Sequence, residues 1–171
     1  MKAAILILAA GTSSRMGSTK QVLPYKHTTL LGWTIEQTIA IEEVETYVIL
    51  GANIKSIKKS IVSYSINVIE NKNYREGIST SIVTGINTIE VRTFEKVLIL
   101  LADQPKITTD YLKKLFEISK KDPAKIIASN YGDKIGVPAI FPKKYFSKPF
   151  LSIAGNEKLC LEISNRWKKN F

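Results

Sequence analysis

The stretch AAILILAAGTSSRMGSTK, residues 3–20, constrains the fold more than any other. Its opening run, 3–8, is apolar without alternation. That predicts a strand buried on both faces, as in a parallel sheet. The run passes from Leu8 into Ala9, Ala10 and Gly11, whose small side chains let a ligand lie against the backbone. Gly11 is expected to turn the chain at positive φ. Thr12, Ser13 and Ser14 supply hydroxyl and amide donors, and Arg15 and Lys20 place two cations on either side of Met16-Gly17. A backbone-lined bend with an Arg and a Lys suits a polyphosphate. The Walker spacing fails, because Ser18 rather than Lys follows Gly17, and GxGxxG is absent. An ordinary strand-to-helix turn with a solvated Arg and Lys is the plain alternative.

A length of 171 residues predicts one domain, 1–171, with a sizeable core. No apolar run approaches the ~18–20 residues needed to span a bilayer, so no membrane partner is expected. Lys2 and the apolar run after it superficially suggest a secretory leader. The phosphate-type loop stands where a cleavage region would, so the run reads as a strand and the protein as cytoplasmic. Cys160 is the only cysteine and His27 the only histidine, which excludes an internal disulfide and Cys/His zinc spacing and disfavours a histidine relay. A metal would then sit on oxygen ligands, which favours Mg²⁺. The net charge of +10 attracts anions, but it is scattered in short clusters such as Lys58-Lys59 and Lys168-Lys169. That is a solvated cationic surface rather than a nucleic-acid face.

Further along, Thr28 or Thr29 can cap a helix over 30–41, with Leu31, Ile35 and Ile39 at helical spacing. Strands are expected over 44–50, 66–69, 96–101, 125–128 and 137–141. Helices are expected over 54–64, 78–89, 111–119, 143–146 and 157–167. In the 54–64 helix Ile54, Ile57 and Ile61 face inward and three lysines outward; Ser79, Thr80 and Ser81 would cap the helix at 78, and Thr108 the one at 111. Strands alternating with helices imply βαβ units and a mainly parallel, Rossmann-like sheet in a three-layer α/β/α fold. Loops 9–20 and 71–81 and Asp103 all follow strands, so they can meet at one sheet edge. Asp103 closes an apolar strand, where a carboxylate is costly unless paired or bound to a cation. It reads as a Mg²⁺ ligand or as a helix cap.

Four segments together resemble the MobA-like nucleotidyltransferases, with the molybdenum cofactor cytidylyltransferase-like branch nearest. LAAGTSSRMGSTK (8–20) matches LAAGxSxRMGxxK, and NKNYREGISTSI (71–82) is similar to NPDWxxGMSTSL. LLADQP (100–105) is similar to LADxP, and GVPAIF (136–141) to GxPxLF. The resemblance implies a nucleotide-diphospho-sugar transferase-like fold. It also implies transfer of an NMP from an NTP to a phosphorylated acceptor, with release of pyrophosphate. It would place Leu8, Ala9, Ala10 and Gly11 along the nucleotide, Arg15 and Lys20 on its phosphates, and Gly77 and Ser81 beside base and ribose. Asp103 would bind Mg²⁺, and Gly136, Val137 and Pro138 would shape the acceptor side. Arg15, Lys20 and Asp103 would be the catalytic set. Ala10 in place of a second glycine goes with CTP, and the branch implies a molybdopterin-type acceptor. Two departures stand out: GNEKLC at 155–160 replaces GDxGAR, and the chain reaches Phe171 without a DIDTPED-like segment. A sugar- or polyol-phosphate acceptor, a non-catalytic nucleotide-binding relic and a basic nucleic-acid binder are the competing readings.

Overall fold

In the computed structural model, which describes residues 2–12, 19–90, 92–132 and 134–146, the opening apolar run is strand β1 (Ala3–Leu8), buried at every position. Ala3, Ile5 and Ile7 enter one core cluster; Ala4, Leu6 and Leu8 enter the other. A strand with two buried faces has no place for alternating polar residues, hence the unbroken run. After it come a short hairpin, β2 (Pro24–Tyr25) and β3 (Thr28–Thr29), then α1 (Leu30–Ile39), β4 (Val44–Leu50), α2 (Ile54–Ser60) and β5 (Asn67–Glu70). α3 (Ile78–Glu90), β6 (Lys96–Leu101), α4 (Thr109–Lys121), β7 (Ile127–Asn130) and β8 (Ile135–Pro142) complete the described strands and α-helices, and the helix expected at 143–146 is a 3-10 turn, Lys143–Tyr145.

The main sheet has the order β5-β4-β1-β6-β8-β7. Its first four strands are parallel, and β8 runs antiparallel to both β6 and β7. Leu31 and Ile35 of α1, Ile57 of α2, and Leu112 and Leu115 of α4 cover one face. Ile82, Ile86 and Ile89 of α3 cover the other, which makes the three layers α/β/α. α3 lies so close at Gly85 that an added Cβ would meet Leu6 Cδ1 at 2.8 Å.

Some boundaries differ from expectation. α1 stops at Ile39, which is 44% exposed. The chain tightens there, with Ile41 N donating to Thr38 O, and Ile41 takes the core place instead. α2 ends at Ser60, although Ile57 and Ile61 are buried and Lys55, Lys58 and Lys59 exposed as expected. β7 begins at Ile127 because Lys125 belongs to a turn, where its ammonium lies 3.7 Å from Asp122. The helix expected at 157–167 lies outside the described residues.

The chain leaves β1 for β4 on one side and returns at β6 on the other. Such a reversal opens a crevice beyond the carboxyl ends of the two central strands. Here Leu8 and Leu101 are register partners, so the loops after β1 and β6 start side by side.

Candidate active site

The crevice encloses about 840 Å³. Residues 8–12 with Lys20 and Gln21 form one wall, residues 101–103 another, and Tyr74, Arg75, Gly77, Ile78 and Ser81 the third.

The first wall is fixed by its own carbonyls. Leu8 O accepts from Ala102 N, Ala10 O accepts from Ala52 N, and Ala9 O and Gly11 O both accept from Gln21 Nε2 at 2.9 and 3.1 Å. Gln21 is buried, so its amide holds the bend from beneath. Leu8, Ala9 and Ala10 are likewise buried, with side chains in the core; only backbone is left toward the crevice. Gly11 is not in the left-handed region. Its use is spatial: a Cβ there would meet nothing within 4 Å, so the missing side chain leaves crevice space open. Among the described residues the N–H groups of Gly11 and Thr12 have no hydrogen-bond acceptor. A short 3-10 turn, Lys20–Val22, carries Lys20 and Gln21, and Asn53 steadies it by donating to Thr19 Oγ1 at 2.8 Å. Arg15, with Ser13, Ser14, Met16 and Gly17, lies outside the described residues.

Across the crevice, Lys20 Nζ lies 3.3 Å from Asp103 Oδ2, with side chains 41% and 45% exposed. Asp103 is therefore paired and solvated rather than trapped in the core. The cap role falls to Thr108, whose hydroxyl accepts from Tyr111 N. Among the described residues no cluster of three or more His, Cys, Asp or Glu could hold a metal. One carboxylate facing a phosphate-sized crevice nonetheless suits Mg²⁺, which keeps waters and takes few protein ligands beside substrate phosphates.

The third wall depends on Asn71, which is 1% exposed. Its Nδ2 donates to Thr80 Oγ1 and Ser81 Oγ at 2.9 Å each, and its Oδ1 accepts from Asn73 N. The hydroxyls at 79–81 thus stand within α3, and two of them anchor the preceding loop rather than capping the helix. Gly77 sits at φ +116°, a conformation that favours glycine, between the loop and α3. Tyr74 packs over Gly51, where an added Cβ would come within 2.5 Å of its Cβ. The Arg75 guanidinium lies 5.7 Å from the Tyr74 ring centroid.

Gly136 and Val137 are half-buried on β8 and Pro138 is buried; none lines the crevice. They meet the site indirectly, because Gln104 Nε2 donates to Val137 O at 3.1 Å. His27 pairs with Glu36 at 2.9 Å, away from the crevice lining. Asn71, Tyr74 and Arg75 fall in the 71–81 loop expected at this edge, though without roles of their own, while Gln21 and Gln104 escape a reading of the sequence. Their one signal is adjacency, since Gln21 follows Lys20 and Gln104 follows Asp103.

Known proteins share this fold. Molybdenum cofactor cytidylyltransferase of Escherichia coli K12 is 26% identical over 114 residues, covering 66% of this chain and 57% of the relative. The manganese complex of Rv0371C from Mycobacterium tuberculosis H37Rv superposes with a TM-score of 0.71 at 21% identity, covering 85% of this chain and 73% of that one. CMP:2-keto-3-deoxy-manno-octonic acid synthetase, complexed with CTP, gives 0.63 at 20% identity, covering 75% and 52%. Residues 5–160 match the model of the MobA-like NTP transferase domain, so the chain belongs to that family.

Proposed function

We propose that the chain is a cytoplasmic, Mg²⁺-dependent nucleotidyltransferase that moves CMP from CTP to a phosphorylated acceptor of the molybdopterin type. The observation that carries this reading is the Lys20–Asp103 pair facing across the switch-point crevice. A phosphate oxygen of the acceptor attacks the α-phosphorus of CTP. The bond from that phosphorus to the bridging oxygen breaks, and pyrophosphate leaves with the electron pair. The attacking phosphate is already ionised near neutral pH, so no histidine base is needed. Catalysis is then positioning plus charge neutralisation. Lys20 turns from Asp103 to the phosphates, joined by Arg15. The N–H groups of Gly11 and Thr12 add donors without filling the crevice. Asp103 would hold Mg²⁺, which when bound would supply Lewis-acid stabilisation of charge on the phosphoryl oxygens. Gly77 and Ser81 flank base and ribose, with Gly136, Val137 and Pro138 on the acceptor side.

The family match supports nucleotidyl transfer, and the E. coli cytidylyltransferase and the CTP complex of the octonic acid synthetase support CTP as the donor. The manganese in the Rv0371C complex supports a divalent ion. Among the described residues no helix is long and apolar enough to cross a membrane. The test is pyrophosphate release from CTP and GTP with a pterin monophosphate, across a Mg²⁺ titration. Asp103→Asn should fold normally and turn over roughly 10²–10³ times more slowly. Equal rates for wild type and variant would remove the metal role, and GTP matching CTP would remove the base assignment.

A further inference from the structure

Gln104 joins the turn that carries Asp103, at the edge of the crevice, to β8, which lies outside the crevice lining. Its side-chain amide is fully engaged. Oε1 accepts from Leu101 N at 3.4 Å, closing the turn that carries Asp103. Nε2 donates to Val137 O at 3.1 Å and to Tyr131 Oη at 3.2 Å. Tyr131 Oη itself donates to Val137 O at 2.7 Å, so the three residues form a closed triangle. The amide's orientation is dictated by its partners: a backbone N–H requires the oxygen end, a backbone carbonyl the nitrogen end. The main chain of Gln104 is fixed as well, with its carbonyl accepting from Ile107 N at 3.0 Å. On the next residue, Pro105 O accepts from Trp33 Nε1 at 3.1 Å.

The far end of the triangle differs from an ordinary core contact. Tyr131 is 54% exposed although its hydroxyl is pinned. Its ring lies over Gly136, whose added Cβ would be 3.8 Å from Cε2. A rigid, solvent-facing ring is therefore tied, through one amide, to the turn that bears the crevice carboxylate.

We propose that Gln104 is a positioning residue that sets the distance between Asp103 and the acceptor wall of Tyr131, Gly136 and Val137. It touches no reacting atom and acts through the turn and the strand. The proposal rests on the nucleotidyltransferase reading above. Mg²⁺ and nucleotide bound beside Asp103 would perturb its turn, and the Gln104 hydrogen bonds would pass that perturbation to β8.

The experiment is amide NMR combined with calorimetry on wild type and Gln104→Leu, titrated with CTP and Mg²⁺. Wild type should show nucleotide-induced shifts at the amides of Tyr131 and Val137, outside the crevice lining. Gln104→Leu should lose those shifts while its CTP affinity changes less than about twofold. With a pterin monophosphate as acceptor, its kcat/KM for that acceptor should fall about 10- to 100-fold, the penalty for misplacing reacting groups by roughly an ångström. Gln104→Met, which is neutral and loses the acceptor and the donor alike, gives the same reading if the Leu variant fails to fold. Shifts that persist in the variant, or wild-type CTP binding without any shift at Tyr131 and Val137, would overturn the coupling and leave the proposed function standing. No CTP binding by wild type would overturn both.

Discussion

Lys20 and Asp103 are partners at rest and competitors at work. The exposed pair at 3.3 Å is worth about 0–1 kcal/mol, so opening it costs little. Lys20 nevertheless occupies the oxygen a metal would use and adds a like charge beside it. Two opposite effects are expected from Lys20→Met. Mn²⁺ alone should bind up to about fivefold tighter, the reciprocal of losing a pair of that strength. CTP should bind more weakly by roughly 1.5–3 kcal/mol, the usual loss for a charge-assisted phosphate contact. Paramagnetic resonance of Mn²⁺ and calorimetry of CTP separate the two. Changes of the same sign would return Lys20 to an ordinary surface role. Both residues were visible in the sequence because charge beside a glycine-rich turn, or at the end of an apolar strand, is itself a signal. Gln21 and Gln104 were not. A neutral amide gains its purpose only from the carbonyls that folding brings to it, here Ala9 and Gly11 for one and Val137 for the other.

The same contrast holds for elements. β1, β4 and β6 could be read directly, since burial on both faces leaves one kind of residue run. The antiparallel insertion of β8 between β6 and β7 could not, because strand order is set by pairings distant in sequence. The end of α4 is another long-range effect. Pro123 has no N–H, so the carbonyl of Ser119 lacks its normal helical donor. Lys96, at the start of β6, supplies one: Nζ donates to Ser119 O, and to Ser119 Oγ at 3.1 Å. Lys96 is only 3% exposed, and burial lowers its pKa from 10.5. Lys96→Met should lower stability by about 1–3 kcal/mol by orphaning that carbonyl, or very roughly 2–12 °C in melting temperature. The pH dependence has a definite sign. The folded state prefers the neutral amine, so across the window that ends near 10.5 the unfolded chain binds more protons and wild-type stability rises with pH. The gap between wild type and Lys96→Met should therefore widen as pH climbs toward that value. Tyr47, pushed up to about 12 mainly by burial, loses stability as pH rises above 10. It does so in both proteins and cancels in the difference. A gap that narrows with pH would mean the ammonium, rather than the neutral amine, is the better cap.

At the scale of the molecule, the question is whether +10 of scattered charge or the crevice decides what binds. Surface charge attracts any polyanion, and the attraction weakens as salt shortens the screening length. The crevice should do more, because its walls can meet base and ribose as well as phosphate. A ligand that binds only the folded state raises stability by RT ln(1 + [L]/Kd), about 2.7 kcal/mol at a hundredfold excess over Kd. For a chain of this length that is a rise of roughly 5–10 °C in melting temperature. CTP with Mg²⁺ should reach it along a single-site saturation curve. Inorganic triphosphate, which has the charge without the nucleoside, should stabilise less at equal concentration, and its effect should fade faster as salt is added. Asp103→Asn should keep the metal-independent part of the CTP effect and lose the increment added by Mg²⁺. Thermal melts of both proteins with each ligand, at low and physiological salt, provide the check. If triphosphate equals CTP throughout, the crevice senses charge alone and recognition of a nucleoside at Gly77 and Ser81 fails. If duplex DNA stabilises the protein more than CTP, with a steep salt slope and no competition between them, the basic surface rather than the crevice is the binding site.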